Sequence, residues 1–301
     1  MESCYCAHAH NNNWLGGEGT STLKYFYIEG EVMSTQMPLR VRLIRAILLW
    51  VRPALVAAFV KQFFNIERIV VATPVGSFLI DPISNFGDSL IREGLYEPGM
   101  VETLKRFLSP GSVFVDVGAN EGFFTVLGSS LVSESGRVIA IEPQTRLRTV
   151  LDQNLKLNEL SNVALYQVAV SNTEGMAKLY LSPNINTGSS ELSCATRYRV
   201  ATQQVRTVTL TQLLADAGVE QVDLMKMDIE GFEYEAVLGS RELFCEGRII
   251  ALALELHPSA IRGRGLDPQE LVDFLRSCGY REDFSLGNTV FVRGTGMRQP
   301  L

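Results

Sequence analysis

The chain of 301 residues is sparing with cysteine, histidine and tryptophan, holding five, three and two of them. The cysteines (Cys4, Cys6, Cys194, Cys245 and Cys278) are odd in number and scattered, so they do not read as a disulfide framework. A chain this long buries a core without one, and the pattern fits a reducing, cytoplasmic setting better than a secreted one. Two of the histidines stand with Cys4 and Cys6 in the alternation Cys-Tyr-Cys-Ala-His8-Ala-His10, but no second ligand pair follows at finger spacing, so no structural zinc is expected. Positive charge is not in excess: 27 Lys and Arg stand against 33 Asp and Glu, a net charge of -6, which argues against nonspecific affinity for nucleic acid. A basic stretch followed by an apolar one, the mark of a cleavable signal, is missing from the first 30 residues, and no uncharged apolar run is long enough to span a bilayer.

What is present is an ordinary globular balance, 46% hydrophobic and 20% charged residues. Residues 1–32 are rich in Asn, Gly and Ser/Thr and read as a disordered leader. From Leu39 to Phe64 apolar residues are interrupted by Arg40, Arg42, Arg45, Arg52 and Lys61, the composition of a basic amphipathic helix. Such a helix either packs on the main domain as a lid or lies on the inner face of an anionic membrane with Trp50 and Phe59 as anchors. Residues 1–66 are therefore taken as an extension and 67–301 as the main domain.

Within the main domain, 67–82 reads as strand, turn and strand, with Thr73-Pro74 and Gly76 at the turn. A short helix is expected over 100–108. Strands over 113–117, 137–141 and 163–170 then alternate with helices over 123–131 and 145–158. After an interruption at 171–210 the rhythm resumes: helix 210–217, strand 222–227, helix 233–238, strand 249–256, a helix opened by Asp267-Pro268, and two short strands near Tyr280 and Val290. The interruption holds two further strands, 176–181 and 204–208, around a polar loop, 182–198, suited to a substrate lid. Alternating strands and helices imply a parallel sheet covered on both faces, with ligands outside the carboxyl ends of its strands.

Three of those strand ends carry acids. Asp116-Val-Gly-Ala-Asn-Glu-Gly122 follows one strand, and its glycines allow a tight turn and close approach to a ligand. Glu142-Pro143 ends the next, where a carboxylate can accept both hydroxyl hydrogens of a ribose. Asp228-Ile-Glu-Gly-Phe-Glu233 ends a third. A dinucleotide fold would need G-x-G-x-x-G; here Asn120 replaces the second glycine and Glu121 would meet a pyrophosphate with like charge. A cationic, phosphate-free nucleoside such as S-adenosylmethionine suits these acids better.

From about Phe86 to Phe291 the chain resembles the FkbM family of S-adenosylmethionine-dependent methyltransferases. The resemblance rests on Val115-Asp-Val-Gly-Ala-Asn-Glu-Gly-Phe-Phe-Thr125, Ile141-Glu-Pro143, Ala169-Val-Ser-Asn172, Lys226-Met-Asp-Ile-Glu-Gly-Phe-Glu233 and, upstream, Glu97 in Gly94-Leu-Tyr-Glu-Pro98. It implies an α/β class I methyltransferase domain, a Rossmann-like three-layer sandwich around a mostly parallel seven-stranded sheet whose last strand is antiparallel. It implies that Asp116, Gly118 and Asn120 line the methionine end of the cofactor, that Glu142 with Pro143 holds the ribose, that Gln167 to Ala169 flank adenine, and that Asp228 and Glu230 border the methyl group. Glu97 joins the cofactor set. Glu121 departs from the family pattern and adds charge beside the cofactor. The implied reaction is O-methylation of a sugar, glycan or secondary-metabolite hydroxyl.

Methyl transfer to a hydroxyl needs a base. Asp228, Glu230 and His257, the one histidine outside the leader, all fall at strand ends and are the candidates. Glu233 reads as a first-turn acid favoured by its helix dipole. Asp228 with a neighbouring acid lacks a clear third ligand, so no metal site is named. The competing readings are a nicotinamide-dependent oxidoreductase and a non-catalytic nucleoside-binding protein of the same fold.

Overall fold

The computed structural model describes residues 25–26, 67–181 and 201–294. Strand β1 (Tyr25–Phe26) pairs in parallel with β2 (Ile69–Ala72), which turns back through β3 (Ser77–Ile80). The two described residues of the expected disordered leader thus belong to a strand. The remainder of that leader, the amphipathic segment 39–64 and the loop 182–198 lie outside the described residues. Thr73 closes the β2–β3 turn, its backbone N–H donating to the Gly76 carbonyl at 2.9 Å.

Helices α1 (Asn85–Glu93) and α2 (Pro98–Phe107) follow. α1 is not expected from the sequence pattern. Its start is set by Ser84, whose hydroxyl accepts the Gly87 N–H, and its end by Gly94 in the left-handed region. The Rossmann-like alternation then runs β4 (Val113–Val117), α3 (Phe123–Val132), β5 (Arg137–Ile141), α4 (Thr145–Leu157) and β6 (Val163–Tyr166). The expected third strand, 163–170, is broken: Ala169–Val170 form a separate strand, β7, in a small sheet with β8 (Gly175–Tyr180) and β9 (Thr202–Val208). After α5 (Leu210–Asp216) come β10 (Val222–Met227), α6 (Glu233–Leu238), α7 (Arg241–Cys245), β11 (Ile249–Leu254), α8 (Pro258–Gly263), α9 (Pro268–Ser277), β12 (Tyr280–Asp283) and β13 (Val290–Arg293). As the Asp-Pro signal indicated, Asp267 caps α9 by accepting the Gln269 N–H.

The main sheet has seven strands in the order β12-β13-β11-β10-β4-β5-β6. β11, β10, β4, β5 and β6 are parallel, and β13 runs antiparallel between β11 and β12. This is the expected α/β architecture with its antiparallel last strand.

Alternation of side chains across the pleat divides the core into two layers. Val115, Val117, Ile139, Ile141, Met225 and Met227 pack with α5, α6 and α9 on one face. Phe114, Val138, Ala140, Leu224, Ala251 and Ala253 pack with β3 and α1 to α4 on the other. Strands buried on both faces explain the nearly unbroken apolar runs of the sequence. Cys245, at the end of α7, and Cys278, just after α9, are joined by a disulfide, contrary to the reading of scattered free thiols. Among the described residues no helix is long and apolar enough to cross a membrane.

Candidate active site

The parallel strands place their carboxyl ends side by side, and backbone hydrogen bonds lock the segments that leave them. The N–H groups of Gly118 and Ala119 both donate to the Ile141 carbonyl at 3.0 Å, Asp228 N–H to Val117, and Glu255 N–H to Met227. Glu142, Asp228 and Glu255 are thereby fixed at the strand ends, with Asp116 buried in β4 beneath them. Between them opens a cleft of about 520 Å³, its open mouth included, lined by Val117, Gly118, Glu142, Ala169, Asp228 and Glu230 among others.

Glu142 sits at its floor, 4% exposed. Its Oε2 accepts the Asn120 N–H and its Oε1 the Gln144 N–H, each at 2.9 Å. Burial pushes its carboxyl up to about 7, although those two N–H groups and Lys226 oppose the shift. Each oxygen keeps a further lone pair as a hydrogen-bond acceptor. Pro143, Val168 and Ala169 line the cleft beside it.

Gly118 has φ +83, and a Cβ there would collide with the Asp228 carbonyl oxygen. Only glycine lets the loop after β4 pass this close to the loop after β10. Asn120 also adopts positive φ, at 52. Asp116 does not line the cleft; it is fully buried beneath the loop. Its Oδ2 accepts the Thr125 hydroxyl at 2.6 Å. Its Oδ1 and the Asn120 Oδ1 are buried without a hydrogen-bond partner.

Lys226 opens the motif Lys226–Glu233, where sequence alone indicates no role for it. In the sheet it lies beside Asp116, and its ammonium stands 3.8 Å from Asp116 Oδ1 and 3.7 Å from Asp228 Oδ2. Burial disfavours its charge, but Asp228 and Asp116 outweigh that and raise its pKa. Glu121 turns away from the cleft. It is 2% exposed and accepts two hydrogen bonds from Arg68, at 2.8 and 2.9 Å, so the expected extra charge beside the cofactor is neutralised on the opposite side of the loop. Arg68 lies upstream of the family resemblance, which is why the sequence reading missed it.

A second group of side chains lies beyond Asp228. His257 Nε2 faces Glu230 Oε2 at 3.5 Å, Asp228 Oδ1 at 3.9 Å and Glu255 Oε1 at 4.0 Å. Its Nδ1 lies 3.1 Å from Oε1 of Glu233, which is wholly buried. The three candidate bases are therefore brought together, and Glu255 joins them. The Glu233 hydrogen bond raises the His257 pKa to about 9 against the effect of burial, with the charges of Glu233, Glu230 and Asp228 adding to it. Burial and the neighbouring Asp228 and Glu97 raise Glu255. Glu97 is outside the cleft lining and belongs with this group; Tyr96 beside it packs against Phe86 and Phe123. Ligand atoms of Asp228, Glu233 and His257 lie within 4.8 Å of one another, which supplies the third donor that the sequence lacked. Oε1 of Glu233, however, already accepts from two backbone N–H groups as well as facing the imidazole.

A mostly parallel seven-stranded sheet with an antiparallel last strand, and a cleft lined by Glu142 and Asp228 where β5 and β10 end, define a class I S-adenosylmethionine-dependent methyltransferase. The methyltransferase FkbM domain matches residues 116–282, more than half of the chain, and the protein belongs to that family. The chain is 29% identical over 177 residues to methyltransferase sdnD of Sordaria araneosa, covering 49% of this chain and 68% of that one. It is 26% identical over 161 residues to 2-O-methyltransferase NoeI of Sinorhizobium fredii, covering 47% and 62%. A match to the AMB antimetabolite synthetase AmbE of Pseudomonas aeruginosa, 25% identical over 222 residues, covers 62% of this chain and 10% of the much longer synthetase. Among solved structures, M. jannaschii TYW2 in complex with AdoMet aligns with a TM-score of 0.37 and 16% identity over 75% of this chain and 87% of that one.

Proposed function

We propose that this methyltransferase transfers the methyl group of S-adenosylmethionine to a hydroxyl oxygen of a sugar, glycan or secondary metabolite. In this reading Glu142 accepts the ribose hydroxyls, with Pro143 and Ala169 beside the nucleoside. Gly118 shapes the loop that carries the methionine end. Asp116, paired with Lys226 beneath the loop, and Asn120 support that loop from below, and Glu97 adds negative charge. Asp228 borders both the cofactor and the acceptor.

The observation that carries the reading is the group of Asp228, Glu230 and His257 at the far edge of the cofactor cleft, within 3.9 Å of one another through His257. Transfer from a sulfonium is an in-line displacement, so the protein must hold the hydroxyl in line and remove its proton. Carboxylates suit the first task, since they accept hydrogen bonds from neighbouring hydroxyls of a polyol. Neutral His257 suits the second. The similarity to NoeI, a 2-O-methyltransferase, supports oxygen as the acceptor. The net charge of -6 favours a small molecule or glycan over nucleic acid. The basic segment 39–64 is proposed to touch an anionic membrane; equal liposome flotation of the full chain and one starting at Glu67 rejects that contact.

Labelled methyl transfer to a panel of sugars, glycans, secondary metabolites, amines and RNA tests the proposal. Label on a hydroxyl oxygen, lost in Asp228→Asn, supports it. Label confined to nitrogen or to RNA overturns it.

A further inference from the structure

We infer that Glu233 is a positioning residue that fixes His257 as the Nδ1–H tautomer, leaving Nε2 as the proton acceptor of the acceptor site. The catalytic part of this inference rests on hydroxyl methylation; the tautomer does not.

The geometry supplies the reason. The turn after β10 carries two residues with positive φ, Glu230 at 56 and Gly231 at 101, and a Cβ on Gly231 would collide with that of Ala260 on α8. Glu233 Oε1 holds this turn by accepting the N–H of Ile229 at 3.1 Å and of Gly231 at 3.0 Å. Backbone N–H groups only donate, so this oxygen is already committed as an acceptor when it meets His257 Nδ1 at 3.1 Å. The imidazole nitrogen must therefore be the donor, and in the neutral ring the proton sits on Nδ1. The lone pair is left on Nε2, which has only the longer approaches of Glu230, Asp228 and Glu255.

One buried carboxylate thus does two tasks. It shapes the loop that carries Asp228 and Glu230, and it orients the ring between them. The arrangement has the logic of a histidine base held by a buried acid. The ionisable groups facing the ring are Glu233 on α6, Asp228 and Glu230 on the turn after β10, and Glu255 on the ring's own segment. Lys226 faces Asp228.

The test is nitrogen-15 NMR of the imidazoles in the full chain. The sequence has three histidines, so three ring systems appear, and the one lost in His257→Asn is His257. Two results are expected: a neutral His257 protonated on Nδ1 in the wild type, and in Glu233→Gln a pKa that falls from about 9 toward the ordinary 6.5. In the same variant kcat should fall at least about tenfold while KM for S-adenosylmethionine stays within threefold. A neutral wild-type ring protonated on Nε2, which needs no variant to observe, overturns the inference. So does an unchanged His257 titration in Glu233→Gln. Should the tautomer be as inferred while label appears only on nitrogen acceptors, the pair stands and hydroxyl methylation falls.

Discussion

The ammonium of Lys226 donates a hydrogen bond of 3.1 Å to the carbonyl of Gly118, tying the strand that ends in Asp228 to the loop that follows Asp116. The two acidic motifs are far apart in sequence, yet this contact and the near-collision of Gly118 with the Asp228 carbonyl make them one rigid edge of the cleft. Lys226 is also the buried cation between Asp116 and Asp228.

Lys226→Met should therefore leave Asp116 as a buried carboxylate with no cation beside it. Removing one partner of such a pair costs about 3 kcal/mol. Chemical denaturation should show a loss of that order, and S-adenosylmethionine affinity should fall at least about tenfold with it. A variant as stable and as tight-binding as the wild type would show that the cleft is held by other contacts.

Glu142 gives the cofactor site a pH dependence. Its carboxyl is pushed up to about 7 from an ordinary 4.5, so the folded protein holds this proton more tightly than the unfolded chain does. The stabilisation this provides is complete below about 4.5 and disappears as pH rises through 7. The ionised form is the better acceptor for two ribose hydroxyls. Affinity for S-adenosylmethionine should therefore rise from pH 6 to pH 8, with proton release on binding at the lower pH. Calorimetry in buffers of different ionisation enthalpy measures both, and Glu142→Gln should flatten the profile.

His257 has the opposite ionisation. Held near 9, it is a cation in the free protein at neutral pH, and its contribution to stability is complete below about 6.5 and lost as pH rises through 9. As a base it acts only when neutral. The rate of hydroxyl methylation, followed as kcat/KM, should climb through the alkaline range up to about pH 9. His257→Ala should bind the cofactor normally but turn over more slowly; unchanged turnover removes His257 from the mechanism.

Arg68 and Glu121 form a pair whose effect is on stability alone. Arg68→Ala leaves Glu121 buried and without its two guanidinium hydrogen bonds, which costs about 2 kcal/mol. Thermal unfolding should show the loss. The affinity for S-adenosylmethionine should be unchanged, because Glu121 points away from the cleft; a large fall in affinity would restore it to the site.

Much of this site is legible in the sequence because its residues sit where local signals are strong. Asp116 and Asp228 follow short apolar runs that can only be buried strands, and Gly118, Gly122 and Gly231 mark turns that require positive φ. The seven-stranded sheet follows from the same alternation. The silent residues act across the fold. Lys226 looks like an interruption in an apolar strand until register sets it beside Asp116. Arg68, just before β2, reaches Glu121 across 53 residues of sequence, and Glu255 acquires its setting from Asp228 and Glu97 on other segments. Glu233 reads as a first-turn helix acid because its side-chain direction, back toward the turn and His257, is fixed by tertiary packing. The Cys245–Cys278 disulfide joins the ends of two helices that only the β11 crossover brings together.

The most direct test is a calorimetric titration of the full chain with S-adenosylmethionine and, separately, with NAD, repeated on Glu142→Ala. S-adenosylmethionine should bind the wild type in a one-to-one complex, Glu142→Ala should lose at least about tenfold in affinity, and NAD should give no heat of binding. Binding of NAD in place of S-adenosylmethionine, or S-adenosylmethionine affinity indifferent to Glu142, would contradict the assignment of this cleft.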